Sequence, residues 1–238
     1  VQICIEDNDK PCVKISNWSM VVNESLTGRC DTYNVSLCSE PYSKVTISVD
    51  HFDSQLGVTP SRLVFTHRNW DIDQTIRVCA VDDCYDEPSI HMAEIRHVVK
   101  SADRIYDGFA ITDGYLVNGS GSVTIVDNDQ FGVTITPQTV FVNESGGNAT
   151  YQVKLNSCPY SNVTCKTMVD GAQIQREPSS LIFDNKSRWD KFQDITVMAV
   201  DDLWEETCDA TNSSFSVALV HSSVIQHTCI SADPAYNT

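Results

Sequence analysis

Residues 70–83 read WDIDQTIRVCAVDD, and residues 189–202 read WDKFQDITVMAVDD, with 9 of 14 positions identical at an offset of 119. Within the first stretch Ile76, Val78 and Ala80 alternate with Thr75, Arg77 and Cys79, the two-residue period of a strand with one buried face. A strand ending on an Asp pair therefore occurs twice. The question of an internal repeat comes before any other.

Working outward, residues 13–25, VKISNWSMVVNES, align with 133–145, VTITPQTVFVNES, at an offset of 120, with 6 of 13 positions identical. Between these blocks TYNVSL (32–37) matches TYQVKL (150–155), PYSKVT (41–46) matches PYSNVT (159–164), and PSRLVF (60–65) matches PSSLIF (178–183). SADRIY at 101–106 matches SADPAY at 231–236, but there the offset is 130, so the second copy carries about eleven extra residues, an interval that holds Cys208 and Cys229. IEDND at 5–9 matches IVDND at 125–129. The expected organisation follows. Residues 1–9 form the closing strand of a preceding repeat, 10–129 are one repeat, and 130–238 are a second that lacks its own closing strand. The edge left by that strand is expected to be filled by the next repeat of the same polypeptide, or by the first strand of a neighbouring subunit added head to tail.

VKISNW, TYNVSL, KVTISV, QTIRVCAV and GSVTIV all alternate apolar with polar residues, are rich in Val, Ile, Thr and Tyr, and are bounded by Asn, Asp, Gly, Pro and Ser. No window of eleven or more residues keeps a helical apolar spacing. Roughly seven short strands per copy predict an all-β chain of two tandem antiparallel β-sandwiches. The expected core comprises Leu63, Phe65, Trp70, Ile76 and Val78, with Leu181, Phe183, Trp189, Ile195 and Val197 in the second copy. The tryptophans are read as core anchors.

The chain has 238 residues and a formal charge of -16, from 32 Asp and Glu against 16 Lys and Arg. Such acidity disfavours nucleic acid and anionic membranes, which need clustered basic residues, and favours cations. The longest apolar runs, such as FSVALV at 215–220, are far below the roughly 20 residues that span a bilayer, so no membrane segment is expected in this chain. Nor does the start, VQICIEDNDK, carry the pattern of a signal peptide, as expected of a mature or excised piece. Ten cysteines occur without a CxxC or a Cys/His cluster. Nine Asn-x-Ser/Thr acceptors accompany them, at Asn17, Asn23, Asn34, Asn118, Asn143, Asn148, Asn162, Asn185 and Asn212. Together these imply N-linked glycans, oxidised cysteines, and an extracellular or cell-surface location.

Several blocks in fixed order carry a resemblance. A Glu-Ser follows the first strands (Glu24, Glu144), then come Pro-Ser-x-Leu-x-Phe, a Trp, and Gln-x-Ile-x-Val-x-Ala-Val-Asp-Asp with acids three and four residues beyond, and last Ile-x-Asp-Asn-Asp. The chain resembles the Calx-beta repeat over nearly its whole length. It is most similar to the arrays found in giant surface proteins of microbes and protists. The resemblance implies immunoglobulin-like sandwiches and calcium held by loop acids at one end of each. On these motif positions the implied ligands are Glu24, Asp82, Asp83, Asp86, Glu87, Asp127 and Asp129 in the first copy, and Glu144, Asp201, Asp202, Glu205 and Glu206 in the second. Physics agrees on the ion class, because converging carboxylates repel unless a cation sits among them, and Ca2+ takes six to eight oxygens. Glu24 and Glu144 are also the middle residues of acceptors Asn23-Glu24-Ser25 and Asn143-Glu144-Ser145. Strand alternation lets Asn face out while Glu faces the loop.

The chain contains no GxSxG, HExxH or Gly-rich phosphate loop, and His51, His67, His91, His97, His221 and His227 share no motif spacing. Paired acids such as Asp82 and Asp83 could serve acid–base chemistry, but they repeat with their strand context, which favours scaffolding. The chain is read as no enzyme. The expected function is a structural building block of a long extracellular glycoprotein array or filament, with calcium stiffening the junction at Asp127-Asn128-Asp129 and with neighbouring repeats or copies of itself as partners. The alternative is an adhesion or receptor ectodomain binding a protein or glycan; a calcium-responsive regulatory domain fits poorly with the acceptors and cysteines. For disulfides, Cys158 and Cys165 flank PYSNVT, read as a hairpin turn, and Cys208 and Cys229 share the insertion. The expected pairs are therefore Cys158–Cys165 and Cys208–Cys229.

Overall fold

A computed structural model describes residues 2–4, 8–16, 19–25, 30–51, 54–111, 119–169, 171–203 and 222–237. The fold is all-β, built as immunoglobulin-like sandwiches of mainly antiparallel strands. Contacts divide it into two units: residues 1–83 with 87–128, and residues 84–86 with 129–238.

The first unit holds β1 (Val13–Ile15), β2 (Met20–Asn23), β3 (Cys30–Leu37), β4 (Val45–His51), β5 (Leu56–Thr59), β6 (Arg62–Phe65), β7 (Gln74–Ala80), β8 (Ile90–Ser101) and β9 (Ser120–Val126). One sheet runs β1-β3-β7-β5 and the other β2-β9-β8-β4-β6. Period two explains the layering: alternate residues of each strand turn inward. From one sheet come Tyr33, Val35, Ile76 and Val78, and from the other Val22, Ile47, Phe65, Ile95, Val123 and Ile125, all at most 1% exposed. The chain from β1 to β2 passes from one sheet to the other, and β2 then pairs with β9 in parallel, Met20 opposite Val123 and Val22 opposite Ile125. Burying this apolar set at about 25 cal/mol per Å2 supplies most of the folding free energy.

The second unit holds β10 (Val133–Thr136), β11 (Asn148–Leu155), β12 (Val163–Val169), β13 (Ile174–Glu177), β14 (Ser180–Phe183), β15 (Gln193–Ala199) and β16 (Ile225–Ser231), then a turn of 3-10 helix over Pro234–Tyr236. Its sheets run β10-β11-β15-β13 and β14-β12-β16, the order of β1-β3-β7-β5 and of β6-β4-β8. Leu181, Phe183, Ile195 and Val197 are buried as the pattern predicts, while Trp70 and Trp189 are half-buried against their cores and use their carbonyls to accept from Leu37 and Leu155 N–H.

The repeat extends to polar groups. Asp103 and Asp233 each accept from a backbone N–H in the PYS turn, Tyr42 and Tyr160 respectively. The hydroxyls of Tyr106 and Tyr236 donate to the carbonyls of Ser39 and Ser157. His97 and His227 correct the expectation that the histidines share no spacing. Each stands four residues before Ser-Ala-Asp, and each Nε2 meets the hydroxyl of the repeated tyrosine: Tyr33 at 2.6 Å and Tyr151 at 3.0 Å. Burial holds both imidazoles below the usual histidine range, most directly for His97, which is nearly inaccessible. The Nδ1 of His97 pairs with the carbonyl of Gly119 at 2.9 Å, and a side chain on Gly119 (φ 82°) would run into the His97 carbonyl.

Among the described residues four disulfides form: Cys12–Cys38, Cys30–Cys79, Cys84–Cys158 and Cys165–Cys229. The expected Cys158–Cys165 pair is overturned because PYSNVT is not a hairpin turn. It carries the chain from β11 in one sheet to β12 in the other. Cys165 instead lies directly opposite Cys229 in the β12–β16 ladder, which also removes the expected Cys208–Cys229 pair, as Cys30 lies opposite Cys79 between β3 and β7. Cys208 itself lies outside the described residues. Cys84 sits in the segment 84–86 that belongs to the second unit.

Candidate metal centre

The end of β2 positions the key group. Asn23 and Glu24 follow the strand's alternation, so Asn23 lies half-buried with its Oδ1 accepting the Ser25 N–H at 2.8 Å, while Glu24 turns inward to 0% exposure. The Glu24 N–H continues the ladder to the Val126 carbonyl at 3.0 Å. Neither of its carboxylate oxygens has a hydrogen-bond partner. A buried, uncompensated carboxylate is among the most expensive groups a protein can hold.

Its neighbours come from the segments that follow β7, open β8 and close β9. Glu87 accepts from Gln55 Nε2 at 2.8 Å, and its N–H donates to Asp127 Oδ2 at 3.1 Å. His91, four residues on, brings Nε2 to 3.8 Å from Glu87 Oε2, while its Nδ1 lies 3.3 Å from the Pro88 carbonyl. Ligand atoms of Glu24, Glu87 and His91 all lie within 4.8 Å of one another. Asn128 Nδ2 ties the Glu24 carbonyl to Asp82 Oδ1, the latter at 2.9 Å, and Gln55 also donates to Asp83 Oδ2 at 3.1 Å.

The electrostatics follow from burial and like charge. Burial first, then the approach of the Asp127 carboxyl and the charges of Glu87, Asp127 and Asp83, pushes Glu24 up to about 8. Glu87 is raised too, by burial and Asp83, against the lowering influence of His91 and Gln55. The donor set is hard oxygen with one imidazole, and its uncompensated negative charge and orphaned Glu24 oxygens fit a divalent cation.

The structure thus gathers Glu24, Glu87 and Asp127 and leaves Asp82 and Asp83 exposed at the rim, each held by an amide. Asp86 and Asp129 fall in the second unit. In that unit Glu144 is only half-buried, Asp201 is exposed, and Asp202 accepts from Gln173 at 3.0 Å. Glu205 and Glu206 lie outside the described residues. His91 and Gln55 were missed by sequence reasoning, which named Asn128 only as part of the Asp127-Asn128-Asp129 junction. A signal existed for Gln55: Gln173 recurs at an offset of 118 and meets the same Asp pair.

Of the acceptors, Asn143, Asn148 and Asn162 are exposed, and Asn34 and Asn185 are half-buried. Asn17, Asn118 and Asn212 lie outside the described residues.

No protein-family model and no curated protein matches the chain. Among solved structures it is similar to CBD12 from CALX1.2, at 16% identity over 77% of this chain and 73% of that one, with a TM-score of 0.36. It is similar also to the calcium binding domain CBD12 of CALX1.1, at 17% identity over 76% and 74% with a TM-score of 0.36. The D0-D1 domain of Intimin matches at 14% identity over 79% and 86%, with a TM-score of 0.28.

Proposed function

We propose that the chain is a structural building block of a long extracellular glycoprotein array or filament whose first unit holds a calcium ion. The carrying observation is the buried, unpartnered carboxylate of Glu24 within an acidic cluster at the end of a repeated, disulfide-bonded sandwich. Glu24, Glu87 and Asp127 hold the ion by their carboxylate oxygens, and the ion supplies the positive charge that lets these groups stay ionised together. Gln55 orients Glu87 by donating to its carboxylate, and Asn128 fixes the backbone at Glu24 by donating to its carbonyl. Because Asp127 stands one residue before the first unit ends at Asn128, ion binding there also fixes where the chain departs from that unit. Four disulfides and the glycan acceptors support an oxidising, extracellular setting. In this reading the chain is no enzyme, since its acid pairs recur in both copies with amide partners, as scaffold groups do.

The test is calorimetric titration of calcium into chelator-stripped chain, beside imaging of the native material. A single saturable site, abolished by Glu24→Gln, together with extended particles of regular repeat, is the expected result. Absence of heat and of any calcium-dependent stability would remove the ion, and compact isolated particles would remove the array.

A further inference from the structure

Residues that scaffold a sandwich recur in both copies, whereas residues that serve one copy alone do not, so the repeat separates structural surfaces from private ones. On the outer face of the sheet β2-β9-β8-β4-β6 an open hollow lies over β4. Val45 and Ile47 turn into the core, so Thr46 faces out, with Lys100 of β8 on one side and Val64 of β6 on the other. Lys44, Arg62 and Lys100 rim the hollow and are exposed, while Ser43, Thr46 and Ser101 bring hydroxyls to it, Thr46 as its buried floor. The Ser101 hydroxyl donates to the Lys44 carbonyl at 3.0 Å and fixes one wall. Asp107 is the one acid among the described lining residues, and its Oδ1 already accepts the Ser101 N–H at 3.2 Å. None of the three basic side chains has a carboxylate partner among the described residues.

The second copy keeps this scaffold and discards its charge. Ser161, Thr164 and Ser231 stand where the hydroxyls of the first copy stand, and the Ser231 hydroxyl donates to the Asn162 carbonyl at 3.0 Å as Ser101 does to Lys44. In place of Lys44, Arg62 and Lys100 the second copy has Asn162, Ser180 and Ile230. Folding this sheet therefore needs the hydroxyls and not the cations. Three neighbouring cations without acid partners also run against the composition, 16 Lys and Arg against 32 Asp and Glu, and they repel one another unless a counter-charge sits among them.

We propose that this hollow binds an acidic glycan, a saccharide carrying sulfate or uronate carboxylate groups. Arg62 offers a planar fork of N–H donors that grips either group at two oxygens, and the two lysines add point charges on flexible stems. The strands flanking β4 set Arg62 and Lys100 about 10 Å apart, far enough to hold separate charges of one saccharide, while the hydroxyls between them meet those of the sugar. A nucleic acid fits less well, because a duplex carries a charge about every 1.7 Å and would meet, beyond the hollow, the surface of a chain with formal charge -16. A peptide fits less well too, because β4 engages its backbone groups with β6 and β8 and offers a strand no main-chain ladder. The hollow shares no residue with the cation site: His91, beside that site, and Lys100 lie about 30 Å apart along β8. The inference goes beyond the array reading and does not need it.

The test uses the full chain in chelator, so that the cation site plays no part, with a sulfated hexasaccharide, a galacturonate hexamer, neutral dextran and a glutamate hexamer as probes. An acidic saccharide should bind, the tighter of the two naming the anion, and dextran should not. Arg62→Ser with Lys100→Ser, both at exposed positions, should weaken that binding on the order of tenfold. Lys186→Ser with Arg188→Ser, two exposed cations of the second unit, should leave it unchanged. Bound saccharide should protect Lys44 and Lys100 from acetylation, and not the exposed Lys14. Binding of neither acidic saccharide, an equal loss in both double variants, or dextran or the glutamate hexamer binding as tightly overturns the proposal. Regular arrays in the native material without saccharide binding would leave the array reading standing and remove this inference alone.

Discussion

Replacing Glu24 by Gln should stabilise the first unit in the absence of calcium and abolish its response to calcium. The carboxyl is raised from 4.5 to about 8 in the folded chain. A raised acid contributes stability that is fully present below its unfolded value and is lost as pH rises through the folded value. Each unit of pH between those limits costs about 1.4 kcal/mol, so the free carboxylate destabilises the chelated protein by about 3 kcal/mol at pH 7. Gln removes this titration and keeps the volume, and its amide can donate to Asp127. Allowing about 1 kcal/mol for an imperfectly paired buried amide, the net gain is about 2 kcal/mol, or roughly 8 °C in Tm. Calorimetric melting in chelator at pH 5, 7 and 8 should show the parent losing stability across that range relative to the variant, so that the gap between them widens as pH rises. In millimolar calcium the parent alone should rise. A variant that melts with the parent in chelator at pH 8, or that still responds to calcium, would refute both the buried charge and its role as ligand.

Three further outcomes follow. Because burial lowers His97 and His227, their neutral forms contribute stability that is present above about pH 6.5 and is lost as pH falls; denaturant midpoints should drop from pH 7 to 5, and Tyr33→Phe should cost about 1–3 kcal/mol by stranding the His97 Nε2. Opening Cys165–Cys229 with paired serines releases a loop of 64 residues, which should destabilise the second unit by about 4 kcal/mol; unreduced peptide mapping should join those two cysteines and separately join Cys84 to Cys158. Enzymatic release of N-glycans in heavy-oxygen water should label Asn143, Asn148 and Asn162, whose side chains are exposed, and unlabelled peptides there would contradict the glycoprotein reading.

The strands were legible because one physical rule governs them: inward and outward residues alternate, and Ile76–Val78 or Leu181–Phe183 obey it without tertiary help. Disulfide partners were not, since they depend on which sheet a strand joins. Cys158 and Cys165 are neighbours in sequence, but the intervening turn crosses between layers. For the candidate site, Glu24, Glu87 and Asp127, three of the acids that recur in the motif, lie close together in the structure. Sequence could not rank them, because Glu24 and Asp83 differ in burial rather than in kind. The amides Gln55 and Asn128 carry no charge pattern, and their part in the site emerged from their hydrogen bonds. His97 and His227 carried a readable signal, their constant distance from Ser-Ala-Asp, which a search for catalytic spacings passed over.

The disulfides also define how the chain would bear a load. Under tension along the whole chain the covalent route jumps from Cys12 to Cys38, runs back along β3 to Cys30, jumps to Cys79, follows the chain to Cys84 and jumps again to Cys158. Residues 85–157, with β8, β9, Glu87 and Asp127, are thereby closed in a loop outside that path, so unfolding adds little of the contour length, about 3.3–3.6 Å per residue, that the reduced form would release. The ion-binding end is therefore sheltered from load, and a calcium ion held there would order a loop that tension cannot reach while Cys84–Cys158 is intact.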